Sequence, residues 1–139
     1  MAGNNIAVID TNLLIRYLVE DDAGKADLVE RLLKKAEAGE IKIVVPSVVM
    51  AELVWVLESY YKMERQEIAE LAMAIISTPG IQIDEKSTIS SALRTYRNSS
   101  IDFIDSWVIE FAKGLGAGMI YTFDRKHFKG IEGIETGSP

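Results

Sequence analysis

Asp10 closes a short β-branched run, Asn5 to Ile9 (NIAVI), and Asp124 follows a second apolar run, Met119 to Thr122, by two residues. In open parallel sheets, ligands gather beyond the carboxyl ends of the strands, so two carboxylates distant in sequence can meet at one sheet edge. Each also precedes a helical pattern, where aspartate is a favoured N-cap, and for either residue alone capping explains its position equally well. Glu52 is the only residue from Val48 to Leu57 (VVMAELVWVL) that is not apolar. A helix apolar around its circumference should be buried on most sides. A glutamate within it then needs a cation, a hydrogen-bond network or a wet pocket, or else a structural salt bridge. Asp102 and Asp105 are three apart in SSIDFIDSWVIEFA, so on a helix they share a face. Both also suit a first helical turn, where acids complement the macrodipole.

The inventory narrows the chemistry. The chain has no cysteine and one histidine, His127. Disulfides, thiolate zinc sites and cysteine nucleophiles are excluded, and any histidine base would have to be that one residue. Several hard oxygen donors without thiolates specify Mg²⁺ or Mn²⁺ far better than zinc or copper. Such ions serve phosphate chemistry by activating water and stabilising charge on phosphoryl oxygens. A formal charge of -6 argues against a broad basic surface for nucleic acid, yet acids that converge on a divalent ion leave net charge a poor guide to the site.

At 139 residues, with 48% hydrophobic and 26% charged, the composition is that of one globular domain spanning 1–139. Met1 to Asn5 carries no basic residue and the apolar stretch after it is cut by Asp10, which is unlike a signal peptide; a cytoplasmic location is expected. Periodicity places strands at 5–9, 41–45, 81–83 and 119–122 with an edge strand at 131–134. Helices are expected over 13–19, 25–37, 47–61, 64–77, 86–97 and 102–115, with Pro46 and Ser47 opening the third and glycines 114, 116 and 118 ending the last. Strands alternating with helices imply an α/β fold with a mostly parallel sheet of four or five strands covered on both faces. Trp55, Tyr60, Tyr61 and Met63 add more large side chains than one small core needs, which points to self-association as a homodimer.

At these residues the sequence resembles the PIN-domain ribonucleases, especially the VapC-type toxins of bacterial and archaeal toxin–antitoxin pairs. Val8-Ile9-Asp10-Thr11-Asn12-Leu13-Leu14 matches the family's opening strand and turn, and Pro46-Ser47 through Glu52-Leu53 matches its helix with an internal glutamate. Asp102-Phe103-Ile104-Asp105 resembles the third motif, with Asp105 in the place of the principal acid, and Thr122-Phe123-Asp124-Arg125 the fourth. Ser106 departs from the pattern, where relatives often have a small apolar residue. The resemblance implies a three-layer α/β/α sandwich and a metal-dependent endoribonuclease. In it Asp10, Glu52, Asp105 and Asp124 hold Mg²⁺ or Mn²⁺ and position water, with Asp102 either a further ligand or the helix cap. Asn12, Thr122 and Ser47 would brace the acids or make turn and cap bonds. Homodimerisation and a small antitoxin across the active-site groove are also implied. Arg16 points either to RNA or to solvent, and Arg125-Lys126-His127 offers further basic groups, His127 fitting a surface position better than a catalytic base.

Three other readings compete. A phosphatase of the haloacid dehalogenase type needs a second aspartate two residues after the first, where this chain has Asn12. A receiver-like signalling domain expects paired acids near the start, and Asp10 stands alone in its turn. A non-catalytic PIN fold kept for partner binding need not retain the full set of acids.

Overall fold

The computed structural model describes residues 5–128 and 130–139, so most of the N-terminal stretch read against a signal peptide lies outside the described residues. It divides into two compact units, Met1–Lys86 and Ser87–Pro139. In the first, β1 (Ile6–Val8), β2 (Lys42–Val45) and β3 (Ile81–Ile83) form a parallel sheet in the order β1-β2-β3, with Ile6 opposite Lys42 and Ile43 opposite Ile81. Flanked on both sides, β2 buries Ile43 and Val45 completely. Burying such side chains is worth roughly 1.5–3 kcal/mol each. In the NIAVI run Ile9 is buried, but the strand before it is not. Ile6 and Val8 are 58% and 66% exposed, because β1 pairs only with β2 and stands at the sheet edge.

Local chemistry sets the helix ends of this unit. α1 (Thr11–Val19) is capped by Asp10 and α2 (Ala23–Glu37) by Asp22, whose carboxylate accepts the Lys25 N–H at 3.1 Å. Glu20 ends α1 in the left-handed region, which turns Asp21 back beside the helix. α3 (Ser47–Ser59) starts after Pro46 and packs on α4 (Arg65–Ile76), and Met50, Leu53 and Leu57 of α3 and Ile68 and Ile75 of α4 are fully buried. Gly80, at φ +84°, turns α4 into β3 so close to α2 that a β-carbon would lie 2.4 Å from the Ala36 carbonyl carbon. Only glycine fits there.

The second unit contains α5 (Lys86–Asn98), whose first residue belongs to the first unit, α6 (Phe103–Leu115), β4 (Met119–Tyr121), a 3-10 helix over Arg125–Phe128 and β5 (Glu135–Gly137). Tyr96 of α5 meets Phe103 of α6 edge-on, their rings 6.0 Å apart. Gly116 ends α6 at φ 74°, its N–H reaching the Ala112 and Lys113 carbonyls. β4 and β5 pair in parallel. The last strand thus lies at 135–137 and not at 131–134, because Ile134 and the half-buried Ile131 are spent on a core with Ile109, Ala112, Ile120 and Phe128. Gly133, at φ 84°, turns the chain between Ile131 and Ile134. Among the described residues the strands form ladders of three and two, where the sequence suggests one sheet of four or five. No described helix is long and apolar enough to cross a membrane.

Candidate functional site

Asp10 follows β1 by two residues and its Oδ1 accepts the Leu13 N–H at 3.2 Å. Capping is therefore real, and it occupies one carboxylate oxygen. Glu52 corrects the expectation of burial. α3 buries Met50, Leu53, Val54 and Leu57 on one side, whereas Val48 and Trp55 on the other are 71% and 64% exposed. Glu52, four residues after Val48 and three before Trp55, lies on that outward side and is itself exposed. The apolar circumference of α3 thus reflects an uncovered apolar face, not an enclosed helix. Tyr61 and Met63 are half-buried, which leaves Trp55 and Tyr60 as the exposed members of the group expected to drive self-association.

Glu52 lines a hollow of about 340 Å³ together with Thr11, Asn12, Arg16, Asp21, Val56, Tyr60 and Tyr61. Arg16 turns neither to solvent nor to an open anion site. Its Nη1 donates to both Asp21 oxygens at 3.0 and 3.1 Å, and the Tyr61 hydroxyl donates to Asp21 Oδ2 at 3.3 Å. Asp21 raises the Arg16 pKa. Burial, then the charge of Asp21, pushes the Tyr61 phenol up. Thr11 Oγ1 and Arg16 Nε are closed off from solvent without hydrogen-bond partners. Ser47, the first residue of α3, is half-buried and makes no capping bond there, since the N-cap position falls to Pro46.

In the second unit Asp105 is half-buried in the first turn of α6. Burial raises its carboxyl above the usual carboxylate range, and the charges of Asp102 and Asp124 push the same way, while His127 opposes them. His127 Nδ1 lies 3.4 Å from Asp105 Oδ2. Asp102 occupies the N-cap position but its side chain makes no capping bond, contrary to the role its spacing suggests. Its carboxylate is exposed. The buried Ser106 hydroxyl donates to the Asp102 carbonyl at 2.9 Å, so the serine that departs from the motif is satisfied within its own helix. Thr122 Oγ1 accepts the Asp124 N–H at 2.9 Å and fixes the backbone from which that acid projects.

The four principal acids therefore divide two and two between the units: Asp10 and Glu52 in the first, Asp105 and Asp124 in the second. Among the described residues no three Asp, Glu or His side chains are grouped closely enough to hold a metal ion. Sequence reasoning missed Asp21 and Tyr61 as partners of Arg16. It also placed His127 at the surface without its contact to Asp105. Nothing in local spacing signals either, apart from the sequence proximity of Arg16 and Asp21.

The chain is an α/β protein with a parallel sheet and acids at strand ends and helix starts. The chain matches the PIN domain family over residues 7–133 and belongs to it. It is similar to the VapC ribonuclease of Aquifex aeolicus (strain VF5), at 29% identity over 132 residues, which covers 95% of this chain and 96% of that protein.

Proposed function

We propose that this chain is a Mg²⁺- or Mn²⁺-dependent endoribonuclease, the toxin of a toxin–antitoxin pair, acting in the cytoplasm. The observation that carries this reading is the PIN domain match, which spans Asp10, Glu52, Asp105 and Asp124 together. The similarity to a VapC ribonuclease along nearly the whole of both chains supports RNA as substrate and a small antitoxin as partner. The exposed Val48 and Trp55 on α3 support pairing as a homodimer. The same reading includes one domain over 1–139 and a three-layer α/β/α sandwich around a mostly parallel sheet of four or five strands.

The donor set fits a hard divalent ion, because it offers carboxylates and Asp105 carries an acid shifted toward protonation by burial and by like charge. Asp10, Glu52, Asp105 and Asp124 would hold the ion, with Asp102 as a further candidate. Lewis-acid activation of water and neutralisation of the phosphoryl oxygens are what such an ion supplies when bound. The chain's own part is to hold carboxylates in place. Asp10 is anchored through Oδ1 to the Leu13 N–H, with its second oxygen left over. Thr122 fixes the backbone of Asp124. Asn12 shares the hollow of Glu52 and would orient substrate or acid, and Ser47 begins the helix that carries Glu52. Arg16 acts through Asp21 and Tyr61, shaping the hollow rather than neutralising phosphate.

The test is cleavage of single-stranded and structured RNA by the purified chain with Mg²⁺ or Mn²⁺, without metal, and in excess chelator. Cleavage that needs the metal and is lost in Glu52→Gln and Asp105→Asn is the expected result. Undiminished cleavage in chelator would overturn the metal-dependent reading, and a stable phosphoprotein formed from acetyl phosphate would overturn the nuclease reading.

A further inference from the structure

The rim of the Glu52 hollow carries an aromatic ring that the acid chemistry does not use. Tyr60, which follows α3, is 76% exposed and lines the same hollow as Glu52, Asn12 and Arg16. A lone exposed tyrosine is ordinary, but this one is held. Its ring stands 4.9 Å from that of Tyr61 at 74°, edge to face. Tyr61 is in turn hydrogen-bonded to Asp21, which is paired with Arg16. A rigid chain of contacts thus runs from α1 to the rim and leaves most of one aromatic ring in water.

Charge decides what that ring is for. Arg16 is neutralised by Asp21, and Glu52 is not matched by another cation among the lining residues, so the hollow is formally anionic. The whole chain has a net charge of -6. Attraction of phosphates by the protein's own side chains, the usual source of affinity for nucleic acid, is therefore weak in this region. Single-stranded RNA has a second source, since unstacked bases stack on exposed aromatic faces whatever their identity. The volume of about 340 Å³ falls within the range of small-ligand sites, about 300–1,000 Å³.

We propose that Tyr60 is a base-stacking platform that takes one unpaired base of the RNA, next to the bond cleaved, and so contributes to substrate position and sequence preference. This rests on the nuclease reading. Tyr60 touches substrate but takes no part in bond breaking, so its effect belongs in KM.

The experiment uses the full chain with Mn²⁺ and a short single-stranded RNA, together with the same RNA carrying an abasic ribose at each position in turn. With the wild-type chain, one abasic position near the cut should raise KM about 5- to 150-fold, the span that stacking one base contributes, with kcat nearly unchanged. Tyr60→Phe, which keeps the ring, should match wild type. Tyr60→Ala should raise KM for intact RNA by a similar factor and be indifferent to that abasic position. Independent effects, in which Tyr60→Ala and the abasic site each cost the same whether or not the other is present, would overturn the proposal. So would wild-type cleavage by Tyr60→Ala combined with a change in its sedimentation, which would make the ring part of a contact between copies. If the wild-type chain cleaves no RNA at all, the nuclease reading has failed. The platform is then decided by anisotropy binding of the same labelled oligonucleotides without metal: loss of the abasic effect in Tyr60→Ala upholds it, and equal effects reject it. Tyr60 is exposed, so the variant should fold as wild type, which its melting temperature checks.

Discussion

The hollow around Glu52 and the acid group around Asp105 solve the same electrostatic problem in different ways. Near Glu52 the Arg16–Asp21 pair neutralises itself, with Tyr61 as a third partner, and the geometry is fixed by short hydrogen bonds that leave Glu52 as the one unmatched acid lining the hollow. Two further carboxylates, Asp102 and Asp124, act on Asp105, and the basic group that opposes them is the exposed His127. The first region is built to keep its shape without help. The second gathers more negative charge on neighbouring acids, so it is the region where a divalent cation should be felt most strongly in the folded protein.

The sharpest way to break this comparison is to neutralise one acid in each region. Asp105→Asn and Glu52→Gln should each lower RNA cleavage by more than about 100-fold, above what removal of an outer-shell partner costs. Their metal affinities, read by Mn²⁺ titration, should fall together. If only one variant loses activity, the two regions do not serve one reaction.

A smaller effect is expected from Thr122→Ala, which removes the acceptor of the Asp124 N–H and leaves every carboxylate in place. Metal affinity should fall about 10-fold, the lower end for outer-shell partners, with little change in melting temperature. An unchanged Mn²⁺ titration would reduce that contact to an ordinary turn.

Asp21→Asn tests the self-balanced region. Without its partner Arg16 becomes an available cation, so log KM for single-stranded RNA should depend more steeply on log salt, by up to about 0.7 in slope. No change in slope would mean that Arg16 stays out of reach of phosphate even when unpaired.

The smallest effect concerns stability without metal. Because Asp105 binds its proton more tightly folded than unfolded, the folded state holds more protons in that window and its stability falls as pH rises through it. Asp105→Asn should therefore melt slightly higher than wild type at neutral pH in chelator, with the gap closing as pH drops below the ordinary carboxylate range. Glu52→Gln serves as the comparison, and a melting curve of Asp105→Asn below wild type at every pH would show that the carboxylate is held by a structural ion pair instead.

Much of the fold was legible because it is local. Six helices and the first four strands lie within two residues of where periodicity, caps and glycines put them, including the earlier helix starts at Thr11 and Ala23 that fall at their aspartate caps. The strand at 135–137 was missed because Ile131 and Ile134 look like strand and are used as core. Patterning cannot separate these, since a buried isoleucine serves either.

The sequence by itself determined which residues can carry chemistry: a chain with carboxylates, no thiol and one imidazole has few options, and four motifs in order mark the family. The tertiary structure decided how those residues are used. Glu52 faces outward because α3 has a buried side and an uncovered one, and composition around a helix does not say which neighbours arrive. Asp102 fills the cap position without making the cap bond, and Arg16 is paired by Asp21 and braced through Tyr61, 40 residues from Asp21 in sequence. Burial and long-range charge are properties of packed neighbours, so spacing along one chain segment could name these groups but not their partners.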